Sequence, residues 1–245
     1  MDRMIYLAAS GAKALTQRQE ALTNNLANAG TAGFRADITS FRAVPISASG
    51  AASTRVMALE GTAGINHAQG PVSTTGRSLD AAIRGAGWFV VRAPDGADAL
   101  TRNGHFTLAA DGTLQSASGL PVVGDGGPIV IPPNAEVLIG TDGTVSARQA
   151  NQPPIQVGKL RLANPDPASL SKGPDGLIRI AGGEPAADDP AVRVASGSLE
   201  GSNVNVVESM VGMIELARQF EIQMKLLSNV EQNEQRAAQL LSLKG

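Results

Sequence analysis

Over the first thirty residues, apolar or small side chains recur at Met1, Ile5, Ala8, Ala12, Leu15, Leu22, Leu26 and Ala29, with Gln19 breaking the alternation of four and three. A repeat near 3.5 residues predicts a helix over 1–29 carrying a narrow seam, which another helix has to cover. Asp2 is placed to accept from the first free amides, and Gly30 or Gly33 to end the helix. The same period returns at the other end, in Val206, Met210, Met213, Ala217, Phe220, Met224, Leu227, Ala238 and Leu241, interrupted at Glu231 and Glu234. It predicts a second helix over about 206–243, ~57 Å long against ~42 Å for the first at 1.5 Å per residue. Asn205 with Glu208 three residues later resembles a capping box, with Asn in the Ser/Thr place.

Between residues 79 and 195 the period falls to two. Trp88–Val91, His105–Leu108, Ile129–Ile131, Val137–Ile139 and Leu177–Ile180 read as strands. Asp-Gly pairs begin at Asp95, Asp111, Asp125, Asp142 and Asp175. Such pairs suit tight turns with positive φ, so hairpins are expected, and hairpins without intervening helices make an antiparallel β domain. Residues 36–75 are rich in Ala, Ser, Thr and Gly and show no firm period; they read as a linker or as extended chain against neighbours.

The fold class expected is therefore α+β: long N- and C-terminal helices forming a coiled-coil module, with an antiparallel β domain inserted. Residues 1–35 and 204–245 make the helical module, 36–75 an extended connecting region and 76–203 the β-rich domain.

Composition narrows the chemistry. Among 245 residues there are one Trp, one Tyr and five Phe but 28 Gly, which favours turns and small-residue packing over a large aromatic-lined pocket. The net charge of −2 comes from 20 basic and 22 acidic residues without a long run of either sign, so nucleic acid is not an expected partner. With no Cys, disulfides and thiolate metal sites are excluded. No run approaches the ~18 apolar residues of a membrane span, so direct membrane insertion is not expected. Met4–Ala9 is too short for a secretory apolar region, which predicts a soluble protein without a cleavable signal.

No catalytic, cofactor-binding or metal-ligating residue is assigned. His67 and His105 have no carboxylate or second His at ligand spacing, and the nucleophile-elbow, zincin, P-loop and EF-hand patterns do not occur. The glycines of Gly197-Ser198-Leu199-Glu200-Gly201 are wrongly spaced for a nucleophile elbow. Asp188-Asp189 lie in a Pro-rich turn, and Gly124-Asp125-Gly126-Gly127 lacks the following helix that phosphate binding needs. Carboxylates that meet only in the fold stay open at this level. So does the asparagine cluster. Asn24 and Asn28 share a helix face, which suits either a fraying last turn or amides that bridge neighbouring helices and fix their register.

Asn24-Asn25-Leu26-Ala27-Asn28 followed by Thr31-Ala32-Gly33-Phe34-Arg35 resembles the N-terminal motif of the flagellar basal-body rod and hook proteins. Leu199-Glu200-Gly201-Ser202-Asn203-Val204-Asn205, then Glu208-Ser209-Met210-Val211, resembles the C-terminal motif of that family. Leu79–Gly85, Gly87-Trp88-Phe89-Val90-Val91 and Leu100–Phe106 are similar to the signature of its β domain. Within the family, Met1–Tyr6 and Ala9–Ala12 are most similar to the start of the proximal rod members, the distal rod members being the alternative. Ala86 and Trp88 stand where the family often has Asp and Phe.

The resemblance implies a structural, non-enzymatic rod subunit with no cofactor, periplasmic in the basal body and exported by the flagellar type III apparatus. Its partners would be other copies, neighbouring rod proteins and that apparatus. The assembly interface it implies comprises Ile5, Leu15, Leu22, Asn24, Asn25, Leu26, Asn28, Phe34, Asn203, Asn205, Met210, Met213, Phe220, Met224 and Leu227. From other classes, a periplasmic peptidoglycan-acting enzyme and a homodimeric binding module are the alternatives.

Overall fold

The computed structural model describes residues 2–45, 56–150, 152–173 and 175–242, apart from the side chains of 2–8, 41–45, 56–63, 231, 234, 235 and 237–242. The chain is α+β and divides into two compact units: Met1–Ala27 with Asp37–Ala63 and Asn205–Gly245, and Asn28–Ala36 with Gly64–Val204.

The first unit holds helix α1 (Asp2–Ala27, 26 residues), the paired strands β1 (Asp37–Pro45) and β2 (Val56–Ile65), and helix α2 (Val206–Ser242, 37 residues). The N-terminal helix is thus the shorter, and it stops at Ala27 where the spacing predicted 29, because Asn28–Gly30 turn. The period-free stretch 36–75 carries the paired strands. A Cβ on Gly11 would lie 3.3 Å from the Gln223 side chain, and one on Gly212 would lie 3.0 Å from Leu22. Moving up one helix therefore means moving down the other: α1 and α2 pack antiparallel. Asn205 caps α2 as its position predicted, its Oδ1 accepting from Val207 N–H (3.1 Å) and Glu208 N–H (3.3 Å).

The second unit is the β body. In chain order its strands are β3 (Val72–Thr74), β4 (Ala81–Arg84), β5 (Trp88–Arg92), β6 (Asp98–Thr101), β7 (Phe106–Leu108), β8 (Leu114–Ser116), β9 (Val123–Gly124) and β10 (Gly127–Pro128). There follow β11 (Glu136–Ile139), β12 (Thr144–Arg148), β13 (Ile155–Lys159), β14 (Leu162–Ala163), β15 (Leu170–Lys172), β16 (Ile178–Ile180), β17 (Arg193–Ser196) and β18 (Ser198–Glu200). The Asp-Gly pairs join β5–β6, β7–β8, β9–β10, β11–β12 and β15–β16, all antiparallel. In four of these turns the Asp carboxylate accepts from the N–H two residues on, at Ala97, Thr113, Thr144 and Leu177. The glycine that follows each Asp in those turns sits at φ near +80°.

A sheet ordered β14-β5-β6-β16-β15 and another ordered β11-β12-β13 are the largest of the body. Two further pairings return the end of the body to its beginning: β17 pairs with β4, and β18 with β3. Strand β5 is buried on both faces, which is why Trp88-Phe89-Val90-Val91 is continuously apolar. Phe89 and Val91 enter the larger core, where Phe89 meets Phe106 edge to face at 5.2 Å; Trp88 and Val90 enter a second, smaller one. The strand predicted at Ile129–Ile131 does not form. Val130 makes only an isolated bridge to Thr113, because Pro128 and Pro132 remove the flanking donors, although Ile129 and Ile131 still fill the core.

Candidate assembly site

On α1, Ala14 and Asn25 are buried and Gly11, Leu15, Ala21, Leu22 and Leu26 half-buried. On α2, Ser209 and Leu216 are buried and Gly212, Met213, Gln223, Leu227 and Val230 half-buried. The covered face therefore alternates by three and four, as the spacing predicted, but is rotated from the seam read in the sequence. Met213 and Leu227 lie on it; Met210, Phe220 and Met224 are exposed. Small residues close the helix pair: glycines at 11 and 212 let the backbones approach, and Ala14 and Ser209 add little bulk.

What this leaves outside is apolar. Val207, Val211, Ile214 and Ile222 are each at least half exposed, at 70%, 50%, 58% and 58%. At 3.6 residues per turn they form a stripe on the side of α2 opposite Leu216. Sequence reasoning missed this second stripe, although its spacing of four, three and eight is legible. The side chain of Ile5 lies outside the described residues.

The asparagine cluster grips its own chain. Asn25 Oδ1 accepts from Asp37 N–H at 2.8 Å and its Nδ2 donates to Asp37 C=O at 3.0 Å, while Asn24 Nδ2 donates to the Asp37 carboxylate at 2.7 Å. Asn28, half-buried, accepts from Thr31 through its side chain (3.2 Å) and backbone (3.1 Å).

In the β body, residues 28–36 form a strap across the start and end of the unit. Asn203 is its hub: Oδ1 accepts from Ala36 N–H (2.8 Å), and Nδ2 donates to Asn66 and Ala68 C=O (2.8 Å each). Phe34 lies half-buried under the Lys172 ammonium, 4.7 Å from its ring centre. Gly33 takes φ +69°, and a Cβ there would come within 2.2 Å of the Asn103 nitrogen.

Beside the strap lies a cluster that no local pattern announces. Glu200, fully buried, accepts from Arg35 Nη2 at 2.5 Å and faces Arg102 Nε at 3.4 Å. Both guanidiniums lie near the Trp88 ring, 5.9 and 5.7 Å from its centre. Burial pushes the Arg102 pKa down to about 10; the Glu200 carboxylate pulls it back up, and Arg35 adds a little to the fall. Arg102 is still protonated at neutral pH, so two cations share one carboxylate.

The fold also supplies a contact absent from the sequence spacing: His105 Nδ1 lies 2.9 Å from Asp80 Oδ1, which Arg77 also reaches at 2.9 Å. Thr75 Oγ1 donates to the other Asp80 oxygen. Among the described residues, no group of three or more His, Cys, Asp or Glu is placed to hold a metal ion, and no helix is long and apolar enough to cross a membrane.

Three family models match in chain order: flagella basal body rod protein over 5–35, the flagellar hook protein FlgE/F/G D1 domain over 82–147, and the flagellar basal body rod FlgEFG protein C-terminal region over 195–240. Terminal helices bracketing an antiparallel body, matched in this order, define a structural subunit of the flagellar basal-body rod. Among individual relatives, the flagellar basal-body rod protein FlgF of Salmonella typhimurium is 44% identical, over 99% of this chain and all of the relative, and that of Escherichia coli is 42% identical over the same shares. A rod protein FlgG, from Buchnera aphidicola subsp. Schizaphis graminum, is 32% identical over 96% of this chain and 98% of its own. The chain belongs to the flagellar basal-body rod protein family, most like its FlgF members.

Proposed function

We propose that this rod subunit polymerises, with copies of itself and with neighbouring rod proteins, through the apolar side of α2 that its own α1 leaves uncovered. The observation that carries this is the stripe Val207, Val211, Ile214 and Ile222, flanked by Met210 and Met224 at about half exposure. A row of branched apolar side chains on a water-facing helix is unfavourable, and a helix from a neighbouring subunit removes the penalty. The helices would then continue into an intermolecular coiled coil. Methionines suit the unequal contacts of a helical array because the thioether adapts to irregular gaps.

On this reading, residues 1–35 and 204–245 are the polymerising module, 36–75 connects it to the body, and 76–203 packs laterally as the β-rich domain. Leu15, Leu22 and Leu26 of α1, with Met213 and Leu227 of α2, support that surface from the covered face behind it. Asn24, Asn25, Asn28, Asn203 and Asn205 set its geometry from within the chain, and Phe34 helps seat the strap. The role is mechanical and not enzymatic, and delivery runs through the flagellar type III export apparatus.

The test is the double variant Ile214→Asp/Ile222→Asp, expressed in place of the native chain. The isolated protein should keep its helical content, while isolated basal bodies lack the subunit and the cells lose motility. Normal motility with the variant built into basal bodies would overturn the proposal.

A further inference from the structure

The Arg35–Glu200–Arg102 cluster has no part in the polymerising surface, yet its geometry is costly. The three side chains are almost completely buried, and among the described residues Arg35 Nε, Arg35 Nη1, Arg102 Nη1 and Glu200 Oε2 have no hydrogen-bond partner. Buried ion pairs return little net stability, and apolar replacements of similar volume are often as stable or more so. Removing one partner is different, because it strands a charge in a low-dielectric interior. Here that asymmetry falls on the carboxylate: without Glu200, two guanidiniums face each other over Trp88.

The partners come from distant parts of the chain. Arg35 belongs to the strap, Arg102 follows β6, and Glu200 ends β18, 165 residues beyond Arg35. Glu200 also holds the strap by its backbone, its C=O accepting from Gly33 N–H at 2.8 Å, and its Oε1 takes Gly70 N–H at 3.0 Å.

We propose that this cluster is a seating device: it admits the strap 28–36 to its place only after β18 has paired with β3. Until Glu200 arrives, the seat presents Arg102 alone, and Arg35 is repelled from it. When Glu200 is in place it draws both cations in, and the negative face of the Trp88 ring accommodates the one that the carboxylate cannot neutralise. The device makes the beginning of the β body wait for its end. Its contribution is to which conformation forms, and in what order, more than to how stable the body is.

Amide exchange on the full chain tests this, comparing the strap amides of Gly33 and Ala36 with the body amides of Val90, Phe106 and Leu114. In Glu200→Gln the strap amides should exchange about tenfold faster or more, with the body amides changed less than about threefold. The double variant Arg102→Met/Glu200→Met keeps an apolar filling around Trp88 and strands only Arg35, so it should fold and release the strap in the same way. Unchanged strap protection in both variants would overturn the proposal. So would equal loss of protection in strap and body, or failure of both variants to fold, because the charges would then carry the stability of the unit.

Discussion

Asn25 binds Asp37 as one strand binds the next, giving an acceptor to its N–H at 2.8 Å and a donor to its C=O at 3.0 Å. A side chain thereby satisfies both backbone groups of the first residue of β1, and ties the end of α1 to it. Asn25→Ala should cost about 1–3 kcal/mol, since it removes both hydrogen bonds to the Asp37 backbone at a buried position. Asn25→Asp should be worse near neutral pH, because it sets a carboxylate against the Asp37 carbonyl, next to the Asp37 carboxylate. Urea unfolding of both variants at pH 7 and pH 4 checks the order, with the aspartate variant recovering at the lower pH.

Gly33 takes a left-handed φ directly against the backbone of Asn103. Gly33→Ala meets both a conformational penalty and an overlap that no rotamer relieves, so a loss of about 2 kcal/mol or more is expected. Gly30, with open space where a Cβ would stand, provides the control. Gly30→Ala should lie within about 0.5 kcal/mol of the parent in the same urea titration.

Val207 and Val211 lie on the exposed side of α2, so polar replacements there should leave the isolated chain folded and make it more soluble. The double change Val207→Thr/Val211→Lys is expected to keep the thermal midpoint within a few degrees. Its light scattering at high concentration should fall. A collapse of helicity would mean that the stripe is already covered within the chain.

At the β15–β16 turn, the hydrogen bond from Arg179 holds the Asp175 carboxyl down at about 2, below its ordinary 3.8. A carboxylate depressed in the folded state stabilises it above the unfolded value, and that contribution disappears as pH falls through the folded one. The benefit is complete above about pH 4 and gone below about pH 2. Because the pair faces water the effect is small. Asp175→Asn should flatten the pH dependence of the urea midpoint between those limits and leave the variant and parent alike at the acid end.

Much of this was legible in the residues. A three-four alternation announces a helix wherever it falls, and Asp-Gly announces a hairpin because glycine adopts positive φ without strain and the Asp carboxylate closes the turn. All five such pairs join neighbouring strands. The capping of α2 by Asn205 follows from the same local chemistry. The Ile129–Ile131 run shows the limit: its apolar spacing suits a strand, but flanking prolines deny the ladder its donors.

The face on which each helix pairs was not legible, because apolar residues lie on more than one side of α2 and glycine, as a site of close approach, carries no hydrophobic signal. The contacts of His105 with Asp80, and of Arg35 and Arg102 with Glu200, have no signature in spacing at all. Periodicity and turn chemistry are properties of the backbone within a few residues, so the amino-acid order alone determined both helices and the hairpins of the body, though not their exact ends or the paired strands β1 and β2. Which side chains meet depends on closing loops of 165 residues and more. Only the packed body decided that a glutamate at its end would hold an arginine at its beginning.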